Sequence, residues 1–145
     1  VVAAGAEARV SFIDRLPHAD LLALMSRHHV FIQPSHESAT GDMEGGPVSV
    51  LDAQATGMPV IATFHGDLPR SVLHGTTGLL SKERDVEGLA AAISRFYTMG
   101  KEEYARFSER ARSHVVENYD VGITARAMRT MYDRIIRGLD PAGET

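Results

Sequence analysis

"DMEGGPVSVLDAQATGMPVIAT", residues Asp42 to Thr63, sets two carboxylates, Glu44 and Asp52, around a Gly-Gly-Pro and a helix-like run. Pro47 suits the first position of a helix, where its missing N–H is not needed. Gly57 suits a left-handed helix exit, and Pro59 blocks continuation. "MPVIAT" then reads as a buried strand. A helix feeding such a strand, with an apolar run "VFIQPS" upstream, is the signature of a parallel sheet covered by helices on both faces.

The rest of the chain extends this pattern. "RVSFIDRLP" predicts a short strand over Val10 to Ile13, and "HADLLALMSRHH" a helix with Leu21, Leu22, Leu24 and Met25 on its apolar side. "VFIQPS" is a strand ended by Pro34. "SHESATGDMEGG" is a polar loop of about a dozen residues, long enough to suggest function. After "FHGDLP", a loop, come a short helical turn in "RSVLHGTTG", a strand "GLLS", and a helix over "RDVEGLAAAISRFYTMG" with Asp85 as its N-cap. From Lys101 to Leu139 the pattern is helical, with Tyr104, Phe107, Ala111 and Val115 on one stripe, Ile123, Ala127, Met131 and Ile135 on another, and a break at Asn118 to Asp120. The fold class is therefore α/β: a Rossmann-like parallel sheet with helices on both faces and a C-terminal helical pair. Residues 1–139 form one domain, and residues 140–145 a disordered tail. "VVAAGAEA" reads as the tail of a helix with its Gly exit, so the chain is expected to be N-terminally truncated.

Composition narrows the function. The 145 residues carry 15 Lys and Arg against 19 Asp and Glu, a net charge of −4, so no basic surplus offsets nucleic-acid phosphate. With no cysteine there are no disulfides or thiolate metal sites. No apolar run reaches the roughly 20 residues of a membrane span, and no signal peptide opens the chain. A cytoplasmic setting fits, including the inner face of a membrane. Seven histidines show no H-x3-H or HExxH spacing, so no metal site is expected. A Ser-His-acid triad drawn from "PSHES" lacks a G-x-S-x-G elbow.

Parallel sheets bind ligands at the carboxyl ends of their strands, and the loops after "VSF", "VFIQPS" and "VIAT" all leave from that edge. The first N–H groups of the helix at Pro47 have no intrahelical acceptors and, with the helix dipole, suit a phosphate. Gly45 and Gly46 allow a ligand close to the backbone. Glu44, on the lip, suits a hydrogen-bond donor such as a sugar hydroxyl. Asp52 leans back toward the helix start and suits a cis-diol such as ribose. Read singly, Glu44 is equally a favourable charge at a helix N-terminus, at roughly 0.3–1 kcal/mol, and Asp52 a solvated face residue. Ser35 and His65, on ligand-edge loops, are further candidates, and a plain loop role for His65 is equally open.

"EGGPVSVLDAQATGMPVIAT" resembles the E-x7-E region of retaining family 4 (group 1) glycosyltransferases, which have the GT-B fold. "VSFIDRLPHADLLALMSRHHVFIQPS" and "FHGDLPRSVLHGTTGLL" resemble the segments that flank it in order, and "DRLPH", "GDMEGGP" and "TFHGDLP" are most similar to the bacterial polysaccharide-biosynthesis branch. The resemblance implies a C-terminal, donor-binding half. It implies that Glu44, as catalytic and sugar-binding acid with Gly45, Gly46 and Pro47, faces the donor sugar. It places the N–H groups of Val48 and Ser49 near the diphosphate, Asp52 at the ribose, and Arg15 and Leu16 at the base through main chain. It implies no cofactor beyond a UDP- or GDP-linked sugar as substrate. It also implies transfer with retention to an acceptor glycan or lipid-linked glycan held by an absent N-terminal domain, and peripheral membrane association of the full-length enzyme. The chain alone is expected to be inactive. Two departures stand out: Asp52 is one methylene shorter than the usual Glu, and Arg70 stands where Glu is common. A non-catalytic Rossmann-like ligand-binding or interaction domain, or half of a nucleotide-sugar epimerase, is the alternative.

Overall fold

A computed structural model describes residues 4–140. Most of the tail expected at 140–145, and part of the helix end expected at the start of the chain, lie outside the described residues. Between Glu7 and Arg9 there is a single 3-10 turn. The elements that follow are α1 (His18–Met25), β1 (Phe31–Gln33), α2 (Val48–Ala55), β2 (Val60–Thr63), α3 (Leu68–Ser71), β3 (Gly78–Ser81), α4 (Val86–Tyr97), α5 (Lys101–Asn118) and α6 (Val121–Ile136). The strands form one parallel sheet in the order β1-β2-β3, with Phe31 opposite Val60 and Val60 opposite Gly78.

The central strand explains the layering. Successive side chains of a strand point to opposite faces. All four residues of β2 are buried, so both faces must be covered. Val60 and Ala62 enter a core with Met25, Val50, Ala53, Met58, Leu68 and Val72. Ile61 enters a second core with Ala92, Phe96 and Phe107, where the two Phe rings meet edge to face at 5.2 Å. The first core holds α1, α2 and α3 to the sheet, and the second holds α4. Helix α5 packs on α2. Its Phe107, Ala111 and Val115 are buried at the expected four-residue spacing, while Tyr104 is half-buried.

Helix ends follow local chemistry. Asp85 caps α4 by accepting from the Gly88 N–H at 2.8 Å, as expected. Helix α2 ends in a full Schellman motif: the Gly57 N–H donates to the Gln54 carbonyl at 2.9 Å and the Met58 N–H to the Ala53 carbonyl at 3.1 Å. Gly57 sits at φ +82°, and Arg112 of α5 donates to the Ala55 carbonyl beside it. This exit turns the chain straight into β2.

Three expectations are corrected. Pro47 is the N-cap, at φ −68° and ψ 118°, and not the first helical residue. Helix α3 begins at Leu68, inside the expected loop, because Asp67 and Pro69 open it there. Val10 to Ile13 forms no strand: no ladder pairs them among the described residues, and Phe12 is 86% exposed. In a doubly wound sheet of order 3-2-1-4-5-6 the third and fourth strands are not neighbours. If β1, β2 and β3 are the fourth to sixth, Val10 to Ile13 stands in the third place, and no partner strand for it occurs among the described residues. Helix α6 has no buried residue, and Met128, Tyr132, Ile135 and Ile136 are exposed on it.

The α2 exit gives a direct test. Gly57→Ala places a Cβ 2.9 Å from Ser108 Oγ at a left-handed φ. It is expected to cost about 1–2 kcal/mol, read as a lower urea midpoint with an unchanged denaturant slope.

Candidate functional site

The carboxyl ends of β1, β2 and β3 lie side by side, so the segments leaving them share one rim. Gln33 is the last residue of β1, and Ser35 and Glu44 lie at the two ends of the loop that follows. Ser35 Oγ donates to Glu44 Oε2 at 2.6 Å, and Gln33 Nε2 donates to the same oxygen at 3.2 Å. Among the described residues Glu44 Oε1 takes no hydrogen bond from the protein. The acid is therefore oriented by two neutral donors on one oxygen, with no cation on it.

The loop is fastened to its neighbours at several points. Thr63, at the end of β2, donates to the Ser35 carbonyl. The Asp67 N–H donates to the Gly45 carbonyl at 3.1 Å. His65 is 2% exposed. Its Nε2 accepts from the Glu44 N–H at 3.1 Å, so its proton sits on Nδ1, which donates to Glu83 Oε1 at 2.8 Å. Glu83 Oε2 accepts from the Glu37 N–H at 3.0 Å. The Glu37 N–H and the His65 ring N–H hold the Glu83 carboxyl below the ordinary glutamate value of 4.5. Gly66 follows at φ +49°, where an added Cβ would lie 2.2 Å from the Glu44 carbonyl oxygen. Only a glycine lets the β2 loop pass this close to the Glu44 backbone.

Helix α2 starts at the same rim. Pro47 supplies no side-chain cap. The N–H groups of Val48 and Ser49 take no acceptor among the described residues, and Val48 is 66% exposed. One turn further, Asp52 Oδ2 pairs with His18 Nε2 at 3.0 Å, with Asp52 half-buried and His18 exposed. A cleft of about 400 Å³ opens beside Gly46, between Leu51, Asp67, Arg70 and Tyr119. Arg70 lies 3.9 Å from Asp67, both exposed.

The structure thus brings Ser35, Glu44, Gly45, Gly46, Pro47, Val48, Ser49 and His65 to one rim and puts Asp52 beside it on α2. Arg15 and Leu16 are exposed, and Leu16 lines a shallow groove with Ile13, Asp20 and Leu24 along α1. Sequence reading missed Gln33, Glu83 and His18. Gln33 had a signal, a polar residue ending an otherwise apolar strand. Glu83 had none, being 18 residues from His65. His18 adjoins the "DRLP" segment but is joined to Asp52 only by folding. A larger cavity, about 680 Å³, lies away from this rim. It is apolar, lined by Val30, Ile32, Ile61, Phe96 and Met99 beside the free edge of β1, and contains none of the candidate residues.

The family model described as "Glycosyl transferases group 1" matches residues 2–114. The chain belongs to the group 1 glycosyltransferases. A relative named as a colanic acid biosynthesis glycosyltransferase, WcaL of Escherichia coli, is 32% identical over 115 residues, covering 79% of this chain and 28% of its own. Among solved structures, sucrose-phosphate synthase from Thermosynechococcus elongatus superposes with a TM-score of 0.82 at 26% identity, over 94% of this chain and 33% of that one. Anabaena HepE, solved in complex with UDP-glucose, superposes with a TM-score of 0.75 at 23% identity, over 91% of this chain and 34% of that one. The chain spans about a third of the length of these proteins. Membership of the group 1 family, and the Rossmann-like half of a GT-B fold, match the expectation from the motifs. No helix among the described residues is long and apolar enough to cross a membrane.

The Glu83 shift has a defined sign. A carboxyl lowered in the folded state adds stability above its unfolded value, and that stability is lost as pH falls through the folded value. Glu83→Gln is therefore expected to lower the melting temperature at neutral pH. The difference from wild type should shrink below pH 4.5, as followed by thermal melts from pH 7 to pH 3.

Proposed function

We propose that this chain is the donor-binding half of a nucleotide-sugar glycosyltransferase acting in bacterial polysaccharide synthesis. The observation that carries the reading is the uncapped start of α2: two free N–H groups, at Val48 and Ser49, flanked by an acid on either side. Free N–H groups and the helix dipole attract a diphosphate without any metal. Glu44 is fixed by Ser35 and Gln33 through one oxygen, which leaves the other to accept from a sugar hydroxyl. Gly45 and Gly46 put no side chain between the backbone and that sugar. Asp52 accepts from the ribose diol, and its pairing with His18 makes up for the missing methylene by bringing a second polar group to the same place.

On this reading the donor is a UDP- or GDP-linked sugar. The acceptor, a glycan or lipid-linked glycan, is held by the other half of a two-domain GT-B enzyme, and the anomeric configuration is retained. The developing negative charge on the leaving diphosphate falls at the α2 start, where fixed dipoles stabilise it without reorganisation. The 145 residues alone bind donor weakly and transfer nothing. That a relative is named for polysaccharide biosynthesis and a structural neighbour was solved with UDP-glucose supports the choice of substrate class.

Calorimetric titration of the full-length protein with UDP, GDP, ADP and the UDP- and GDP-sugars tests this. One nucleotide series is expected to bind. Asp52→Ala should weaken it by about tenfold to a hundredfold, as expected for losing hydrogen bonds to a charged group. Glu44→Ala should weaken the nucleotide sugar but leave the free nucleoside diphosphate nearly unchanged, because it meets only the sugar. No binding of any nucleotide at millimolar concentration would favour an interaction domain instead.

A further inference from the structure

His65 carries an unusual load for a loop residue. Its ring is buried, and both nitrogens are committed, one to Glu83 and the other to the Glu44 backbone. It has no nitrogen left for a ligand. Glu83, on the loop after β3, spends its second oxygen on the Glu37 N–H. Glu37 and Glu44 stand near the two ends of the long loop between β1 and α2. The next residue, Arg84, is held at φ +60° and donates to the Glu37 carbonyl at 3.0 Å. One imidazole and one carboxylate, from two different strand ends, thus pin both ends of the loop that presents Glu44.

The pin depends on one tautomer. The Glu44 N–H can only donate, so Nε2 must be bare and Nδ1 must hold the proton. A proton on Nε2 would set two donors face to face and free the Glu44 end. The carboxylate at Nδ1 fixes the required form, the same arrangement by which a carboxylate orients an imidazole elsewhere.

We infer that His65 and Glu83 are positioning residues of the sugar-donor site, a clamp that sets the place of the Glu44 backbone, and hence of its carboxylate, without touching the donor. The inference deepens the donor-site reading above and rests on it. It replaces a donor-contacting role for His65 with an indirect one.

Two substitutions separate positioning from bulk stability. In His65→Gln the amide oxygen reaches roughly as far as Nε2 and can still accept from the Glu44 N–H. In His65→Asn the amide lies where Nδ1 was, so it can serve Glu83 but falls short of Glu44. Both remove a buried ring and should lower thermal stability alike. For the full-length protein, His65→Asn is expected to weaken UDP- or GDP-sugar binding by about tenfold, the effect of one misplaced hydrogen-bonding group. His65→Gln should stay within about threefold. Nitrogen-15 NMR of histidine-labelled wild type should show Nδ1 protonated and Nε2 bare. Equal loss of binding in both variants, tracking their stability, would overturn the inference, as would an Nε2-protonated ring. If wild type binds neither sugar nucleotide, the donor reading fails and the clamp is judged by amide exchange. Faster exchange of the Glu44 amide in His65→Asn than in His65→Gln upholds it, and equal exchange overturns it.

Discussion

Burial of β2 on both faces is the constraint on which the rest of the molecule depends. Four residues, Val60 to Thr63, are buried on both sides of the sheet. Their backbone groups must be paired within the sheet, because an unpaired buried amide or carbonyl costs about as much as a lost hydrogen bond. That demand places β1 and β3 on its two edges, in parallel. Parallel strands end at the same side, so the loops after β1, β2 and β3 have to meet. The candidate site is a consequence of that meeting. Glu44 arrives from the first loop, His65 from the second and Glu83 from the third, and the hydrogen bonds among them tie together what the sheet has already brought near.

Much of this was legible in the sequence because it is local. The Asp85 cap, the Gly57 exit, the apolar run of β2 and the stripe of α5 each follow from residues within a few positions of one another. Glu44 and the α2 start are legible for the same reason, since Pro47 directly before an apolar-periodic run is a local helix-entry signal. The failures have a common physical form. Val10 to Ile13 has the right residues for a strand, but a strand is a relation between two segments, and no partner for it occurs among the described residues. The His65–Glu83 and His18–Asp52 pairs join residues 18 and 34 positions apart. No periodicity or turn signal links such positions; only the register of the sheet and the packing of α1 on α2 do.

Pro47 shows how a small error in sequence reading changes the chemistry. As the first helical residue it would have taken up one of the free positions at the start of α2, leaving fewer N–H groups to offer. As the N-cap it adds no donor of its own and no side-chain acceptor, so the N–H groups of Val48 and Ser49 remain unclaimed. A Ser, Thr or Asp at that place would have satisfied one of them internally. An N-cap that stabilises the helix by occupying its first N–H groups is traded for one that leaves them exposed.

On the donor reading, Glu44 beside a diphosphate poses an electrostatic problem, since a carboxylate repels a phosphate at close range. The geometry separates the two along the chain. Glu44 is held by Ser35 and Gln33 at the end of β1, while the free N–H groups of Val48 and Ser49 come after Gly45 and Gly46 in the chain. The two glycines lie between them in the chain, and the Asp67 N–H donates to the Gly45 carbonyl. On the donor reading this separation matches the order of groups in a sugar nucleotide, with hydroxyls at one end and the diphosphate at the other. It also explains why the loop needs so firm a mounting. On that reading a shift toward α2 would raise the repulsion, and a shift away would take the carboxylate from the sugar. The buried imidazole, with both nitrogens committed, resists displacement in either direction.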